Sequence, residues 1–105
     1  PPVTDSFSIS TINTNITNAT LTLLVGNNDG TPNTQIYNGP FNQNIVGTNI
    51  NLPATNANIT LYLNGATIVT ATCNGQAGNI SVTTGNSTVT WTNINGPLNI
   101  NYTTL

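Results

Sequence analysis

Residues 58 to 73, NITLYLNGATIVTATC, alternate apolar and polar side chains in two runs that meet at Asn64 and Gly65. Successive side chains of a strand point to opposite faces, so a period of two calls for extended chain buried on one side. Asn-Gly is the favoured pair for the two left-handed positions of a type I′ turn. The stretch therefore predicts a hairpin, with Leu63 opposite Ala66 and Leu61 opposite Ile68 on one face, and Tyr62 and Val69 on the other.

The same signal recurs along the chain. In NITNATLTLLVG, Thr17, Ala19, Leu21, Leu23 and Val25 share one parity, and Asn27 to Gly30 then breaks the run. Further short strands read at Ser6 to Thr11, Gln35 to Tyr37, Thr48 to Leu52, Asn79 to Thr83, Ser87 to Thr92 and Leu98 to Tyr102. No helix of useful length is readable. At 105 residues one domain is expected. Strands this short, with turns every 8 to 12 residues, predict an all-β fold, an immunoglobulin-like two-sheet sandwich of about 7–8 short strands. Leu21, Leu23, Leu61, Val89 and Trp91 are its expected core. The segments NGPFNQNI (38 to 45) and NGPLNINY (95 to 102) share a pattern, either as a relic of duplication or as two Gly-Pro strand entries that converge.

Composition decides what such a fold can do. The chain has no Lys, Arg or His, and its only carboxylate side chains are Asp5 and Asp29, whereas charged residues make up about a quarter of an ordinary domain. Neutral polar groups, 21 Asn and 21 Thr, supply the wettable surface instead. Gripping nucleic-acid phosphates needs Lys or Arg, so no nucleic-acid partner is expected. Acid-base catalysis near neutrality needs His, or carboxylates or Lys tuned by neighbours, so no enzyme and no catalytic residue is expected. One Cys and two Asp cannot assemble a zinc site. GNNDGTPN, residues 26 to 33, resembles an oxygen-rich calcium loop but lacks the bidentate Glu after it, and reads as a turn; no metal or other cofactor is expected. Cys73 shares the parity of Val69 and Ala71 and has no partner Cys, so it reads as a small buried hydrophobe rather than a reactive thiol. No apolar run is long enough to span a membrane. The start at Pro1 and Pro2 rather than Met fits secretion after signal-peptide removal, and hence an extracellular, cell-surface location.

The pattern N-x-S/T occurs six times, beginning at Asn15, Asn18, Asn58, Asn79, Asn86 and Asn101. A chain this rich in Asn and Thr produces such triplets by chance. Yet Asn15 and Asn79 fall at strand starts and Asn86 in the turn TTGN, where acceptors face outward, so N-linked glycans are expected. Sugars would also keep a surface of almost no net charge from associating. With so few titrating groups, stability should hardly vary between strong acid and neutrality. That fits an acid habitat, while Thr- and Asn-rich adhesins and stalks use similar surfaces elsewhere.

In PPVTDSFSIS, Val3, Phe7 and Ile9 share a parity, which Asp5 interrupts. This segment is either the first strand of its own sheet or a strand that completes the open edge of the next subunit, repeating head to tail. Thr and Asn richness, scattered sequons and the absence of Lys together resemble the secreted all-β pilins of archaeal surface threads in thermoacidophilic Sulfolobales, over the whole chain. That resemblance implies an immunoglobulin-like subunit, heavy N-glycosylation and donor-strand complementation, with residues 1–12 as donor, residues 13–105 as the pilin domain, and Val3, Phe7 and Ile9 at the interface. The long hydrophobic N-terminal helix of archaeal type IV pilins is not part of this sequence, and without lysine the Lys-Asn isopeptide locks of some bacterial pilins cannot form.

The function expected is a structural subunit of a glycosylated extracellular filament, its partners identical copies and the cells or surfaces the filament meets. Alternatives are an adhesin, a surface-layer or virion-fibre domain, a carbohydrate-binding module, or an ice-binding one, since TVTWT places Thr88, Thr90 and Thr92 on one face.

Overall fold

The computed structural model describes residues 4–11, 19–27, 34–40, 44–51, 56–95 and 97–105. These form ten strands: β1 (Thr4–Thr11), β2 (Thr20–Asn27), β3 (Thr34–Pro40), β4 (Asn44–Asn51), β5 (Ala57–Asn64), β6 (Ile68–Cys73), β7 (Gln76–Ala77), β8 (Asn79–Thr83), β9 (Asn86–Ile94) and β10 (Leu98–Thr104). One sheet has the order β4-β1-β10-β6-β7 and the other β3-β2-β5-β9-β8. The all-β two-sheet sandwich expected from the alternation is the fold observed. Among the described residues no helix is long and apolar enough to cross a membrane.

The two inner faces make one core. Leu21 and Leu23 on β2, Leu61 and Leu63 on β5, and Val89 on β9 are fully buried from one side. Ile9 on β1, Ile100 on β10 and Cys73 on β6 meet them from the other. β5 shows why: its residues alternate buried and half-buried along the strand, which is period-two patterning with one face inward. Trp91 is 3% exposed, and its indole N–H donates to the Gln76 carbonyl at 2.8 Å, so a large apolar ring is buried without stranding its polar atom. Gly78 lies against that ring. A Cβ there would come within 2.3 Å of Val89 and 2.7 Å of Trp91, so only glycine lets the chain pass from β7 to β8 at this point.

The hairpin expected at Asn64 and Gly65 does not form. β5 lies inside its sheet, paired with β2 on one edge and β9 on the other, and β6 belongs to the opposite sheet. Leu63 is opposite Leu21 and Ser87 rather than Ala66, and Ile68 is opposite Thr104 rather than Leu61. Gly65 has a positive φ of 107°, whereas Asn64 is not left-handed, so the type I′ geometry is missing. Alternation identifies a strand's buried face but not its neighbour: in a sandwich, strands that face each other across the core carry the same pattern as strands that pair. β6 also changes parity. Val69 is an extra residue in the pairing of Thr103 and Thr104 with Thr70 and Ile68, so Ile68 and Ala71 both point inward while Val69 is half exposed.

The crossing from β5 to β6 is fastened from β9. The Ile68 N–H donates to Ser87 Oγ at 2.8 Å, Ser87 Oγ donates to the Ala66 carbonyl at 3.0 Å, and the Gly65 N–H donates to the Gly85 carbonyl at 2.7 Å. Ser87 is 1% exposed, so no water replaces it. Ser87→Ala strands a buried donor and acceptor and is expected to cost about 1–3 kcal/mol, read as a lower denaturant midpoint at unchanged slope. Ser87→Thr, which keeps the hydroxyl, should recover part of that loss if the added methyl fits.

The two segments that share N-G-P-apolar-N-x-N-apolar have a common place in the fold. Residues 38–45 run from β3 to β4 and residues 95–102 from β9 to β10, and each link leads from the β5-containing sheet to the β10-containing sheet.

Candidate functional site

β1 lies between β10, its parallel partner, and β4, its antiparallel partner, so both of its edges are paired. In the single chain the first strand thus takes a place inside its own sheet. Of the residues expected at a donor interface, Phe7 is 4% and Ile9 1% exposed, and Val3 lies outside the described residues. Phe7 is opposite Leu98 and Ile9 opposite Ile100, two buried residues of β10. Phe7 also meets Tyr37 of the other sheet, with ring centroids 6.5 Å apart at 59°, a tilted pair. β1 is therefore bound by backbone pairing on two sides and by side-chain packing into the core. Residues 12–19 separate it from β2, which belongs to the opposite sheet.

The four sequons within the described residues fall on outward-facing positions of both sheets. Asn101 is exposed on β10, opposite Ser10 and Thr72. Asn79 is exposed at the start of β8, opposite Thr90, while Asn58 on β5 and Asn86 at the start of β9 are half-buried. Asn15 and Asn18 lie outside the described residues, as does the centre of GNNDGTPN. Among the described residues the four acceptors are spread over both sheets rather than gathered at one place.

Asn74 is a structural residue that the sequence reading passed over. Asn74 and Gly75 have φ of 52° and 81° and join Cys73 to Gln76 in a two-residue loop, so the left-handed Asn-Gly pair sits here, ten residues beyond the expected one. Its side chain joins this turn to the link between β9 and β10. The amide group donates to the carbonyls of Asn95 at 2.9 Å and Pro97 at 3.0 Å, and Oδ1 accepts from the Asn99 N–H at 2.8 Å. Asn56 and Asn93 are also left-handed, at 54° and 58°. Asn is tolerated there because its short side chain hydrogen-bonds locally. Part of the Asn enrichment therefore serves the backbone rather than the wetted surface.

The outer face of the β5-containing sheet is hydroxyl-rich. Thr90 and Thr92 are exposed and Thr88 half-buried on β9; Thr60 of β5 lies opposite Thr90, and Tyr62 opposite Thr88. Thr22 Oγ1 donates to Asn38 Oδ1 at 2.9 Å across β2 and β3. On the other sheet Ser8 Oγ donates to Asn99 Oδ1 at 3.1 Å, and the Thr70 and Thr103 hydroxyls are 2.5 Å apart. Neutral cross-strand pairs occupy positions where ion pairs commonly sit.

Cys73 is fully buried and unpaired. Burial pushes its thiol from the ordinary 9.0 up to about 11, against a smaller opposing effect of a backbone hydrogen bond with Asn99. The nucleophilic thiolate is therefore scarce at neutral pH. Comparison of the chain with protein-family models, with curated proteins and with solved structures finds no match.

Proposed function

We propose that the chain is a structural subunit of a glycosylated extracellular filament, assembled head to tail by donation of β1 to the next copy. The observation that carries this reading is the seat of β1 between β4 and β10, with Phe7 and Ile9 in the core. A strand held in a slot defined on both edges by the rest of the fold can be supplied by another copy in the same register, replacing intrachain bonds with identical interchain ones. The link permits it: eight residues, 12–19, can span at most roughly 26–29 Å, more than the 24 Å width of the molecule. Exchange that runs from each copy to the next does not close, and so produces a thread. The lack of Lys, Arg and His, which weighs against polyanion gripping and acid-base work, also fits a structural role.

Electron microscopy of the native material tests this. Threads are expected, and discrete monomers at all concentrations would remove the reading. The intact mass should exceed that of the bare chain, with sugar mapped to the exposed Asn79 and Asn101; a mass equal to the sequence mass removes the glycoprotein part. A second reading, a hydroxyl platform that orders water, is favoured by Thr60 lying beside Thr90, which widens the single Thr row of β9. Thermal hysteresis of ice growth in solutions of the protein would select it.

A further inference from the structure

The outermost strand of the β5-containing sheet differs from the other described edges whose protection is visible. At the far side of the same sheet β3 ends in Pro40, and on the facing sheet β7 is only two residues long; a proline and a short strand both discourage edge-to-edge pairing. β8, Asn79–Thr83, has neither device, and in a chain without Lys it has no charge to repel a partner. All five of its residues are exposed. Ile80 and Val82 lie on the inner face, opposite the buried Val89 and Ser87, yet are 37% and 48% exposed at the rim. The strand is also self-complementary. In an antiparallel pair of β8 strands centred on Ser81, Ile80 of each copy faces Val82 of the other, and Asn79 faces Thr83, so apolar meets apolar and polar meets polar.

Asn79 begins this strand, is exposed, and opens the triplet Asn79-Ile80-Ser81. It lies opposite Thr90, whose side chain is on the outer face of β9. A glycan there would stand over the space that Thr83 of a second copy must enter. We infer that β8 is a pairing surface for β8 of a second copy, and that a glycan on Asn79 blocks it, replacing the charge this chain lacks. The blocking role rests on the glycoprotein filament reading above. One five-residue pairing is weak alone, but its repetition along two threads makes lateral association strong, so unmodified threads bundle and modified ones stay separate.

The test compares the full chain carrying its glycans with Asn79→Gln and Ser81→Ala, each of which removes the triplet, by electron microscopy and by hydrogen exchange at β8. Expected are separate threads for the glycosylated chain, and for both variants side-by-side bundles with newly protected β8 amides. Val82→Lys, at a half-exposed position, should disperse the bundles when combined with Asn79→Gln; circular dichroism confirms that it still folds, and Val82→Thr serves if it does not. Discrete dimers in place of bundles, dissolved by Val82→Lys, would uphold the β8 surface while removing the filament reading. Threads that stay separate without the glycan overturn the inference, as does association that survives Val82→Lys or protects β4 instead of β8. A native chain with Asn79 bare overturns the blocking role.

Discussion

Removal of residues 1–12 is expected to unfold the isolated chain, and a synthetic peptide of residues 1–12 added in trans is expected to refold it. Truncation deletes the strand between β4 and β10, leaves β4 without its described partner, and uncovers the β10 edge at Leu98 and Ile100. Loss of Phe7 and Ile9 from the core costs about 3–5 kcal/mol for the ring and about 2–5 for the Ile, before any backbone pairing is counted. Domains of this size have roughly 5–15 kcal/mol in all, so the deletion consumes most or all of the margin. Circular dichroism and thermal melts read the loss, and titration with the peptide reads its recovery. A Phe7→Ala peptide should bind at least tenfold more weakly, since 1.4 kcal/mol already gives that factor. A pilin domain of residues 13–105, as the resemblance implies, would instead stay folded with its slot open for a neighbour; the pairing of β1 on both edges is what leads to the opposite expectation. A truncated chain that melts like the full one would show β1 to be dispensable and would remove strand donation with it. Peptide-filled truncated chains should also be discrete particles under conditions where the full chain polymerises, because their slots are occupied and they have no strand to give.

The strands were legible because burial on one face imposes period two on Thr, Ile, Leu and Val, and the run from Asn79 to Thr92 reads off almost residue by residue as β8 and β9. Partner choice was not legible. Asn64-Gly65 and Asn74-Gly75 offer the same dipeptide between similar flanks, yet the first carries the chain across the sandwich and the second makes the tight turn. The difference lies at a distance. β5 has both edges taken, and Ser87 and Gly85, some twenty residues on, hold the Gly65–Ile68 crossing away from the sheet. No local window contains that information. Asn74 was missed for a related reason: its three side-chain partners lie 21 to 25 residues away, so nothing beside it marks it as more than one of 21 asparagines. For the candidate site, the apolar parity of Phe7 and Ile9 was readable, but parity is the same for a strand inside its own sheet and for one lent to another copy. Six triplets marked possible glycan acceptors, and only the fold separates the exposed Asn79 and Asn101 from the half-buried Asn58 and Asn86.

Stability should be nearly flat from strong acid to about pH 8 and then fall steeply in alkali. The acid limb of most proteins comes from carboxylates that must take up protons and from His that must charge, and this chain has two Asp and no His. Its cross-strand links are hydroxyl and amide bonds, such as Thr22 to Asn38 and Ser8 to Asn99, which neither acid nor salt removes. The alkaline limb comes from the core. Burial raises the Cys73 thiol from 9.0 to about 11 and raises the Tyr102 phenol above its ordinary 10.0, with repulsion from Tyr37 as a lesser cause. Both groups are neutral acids in the folded chain. Below about pH 8 they are protonated folded or unfolded and contribute no slope. Above it the unfolded chain ionises first and is stabilised, so folding weakens as pH rises toward the folded values. Cys73 alone should remove roughly 2 kcal/mol between pH 8 and 11, and Tyr102 adds to the loss from about pH 10. Denaturant midpoints measured from pH 2 to 11 check both limbs. Cys73→Ala is expected to cost some stability at neutral pH but to delay the alkaline fall by about one unit, until tyrosine ionises, and Tyr102→Phe in addition should flatten most of what is left. A fall beginning below pH 5, or an alkaline limb that Cys73→Ala leaves in place, would mean that charge governs this fold through groups other than these two.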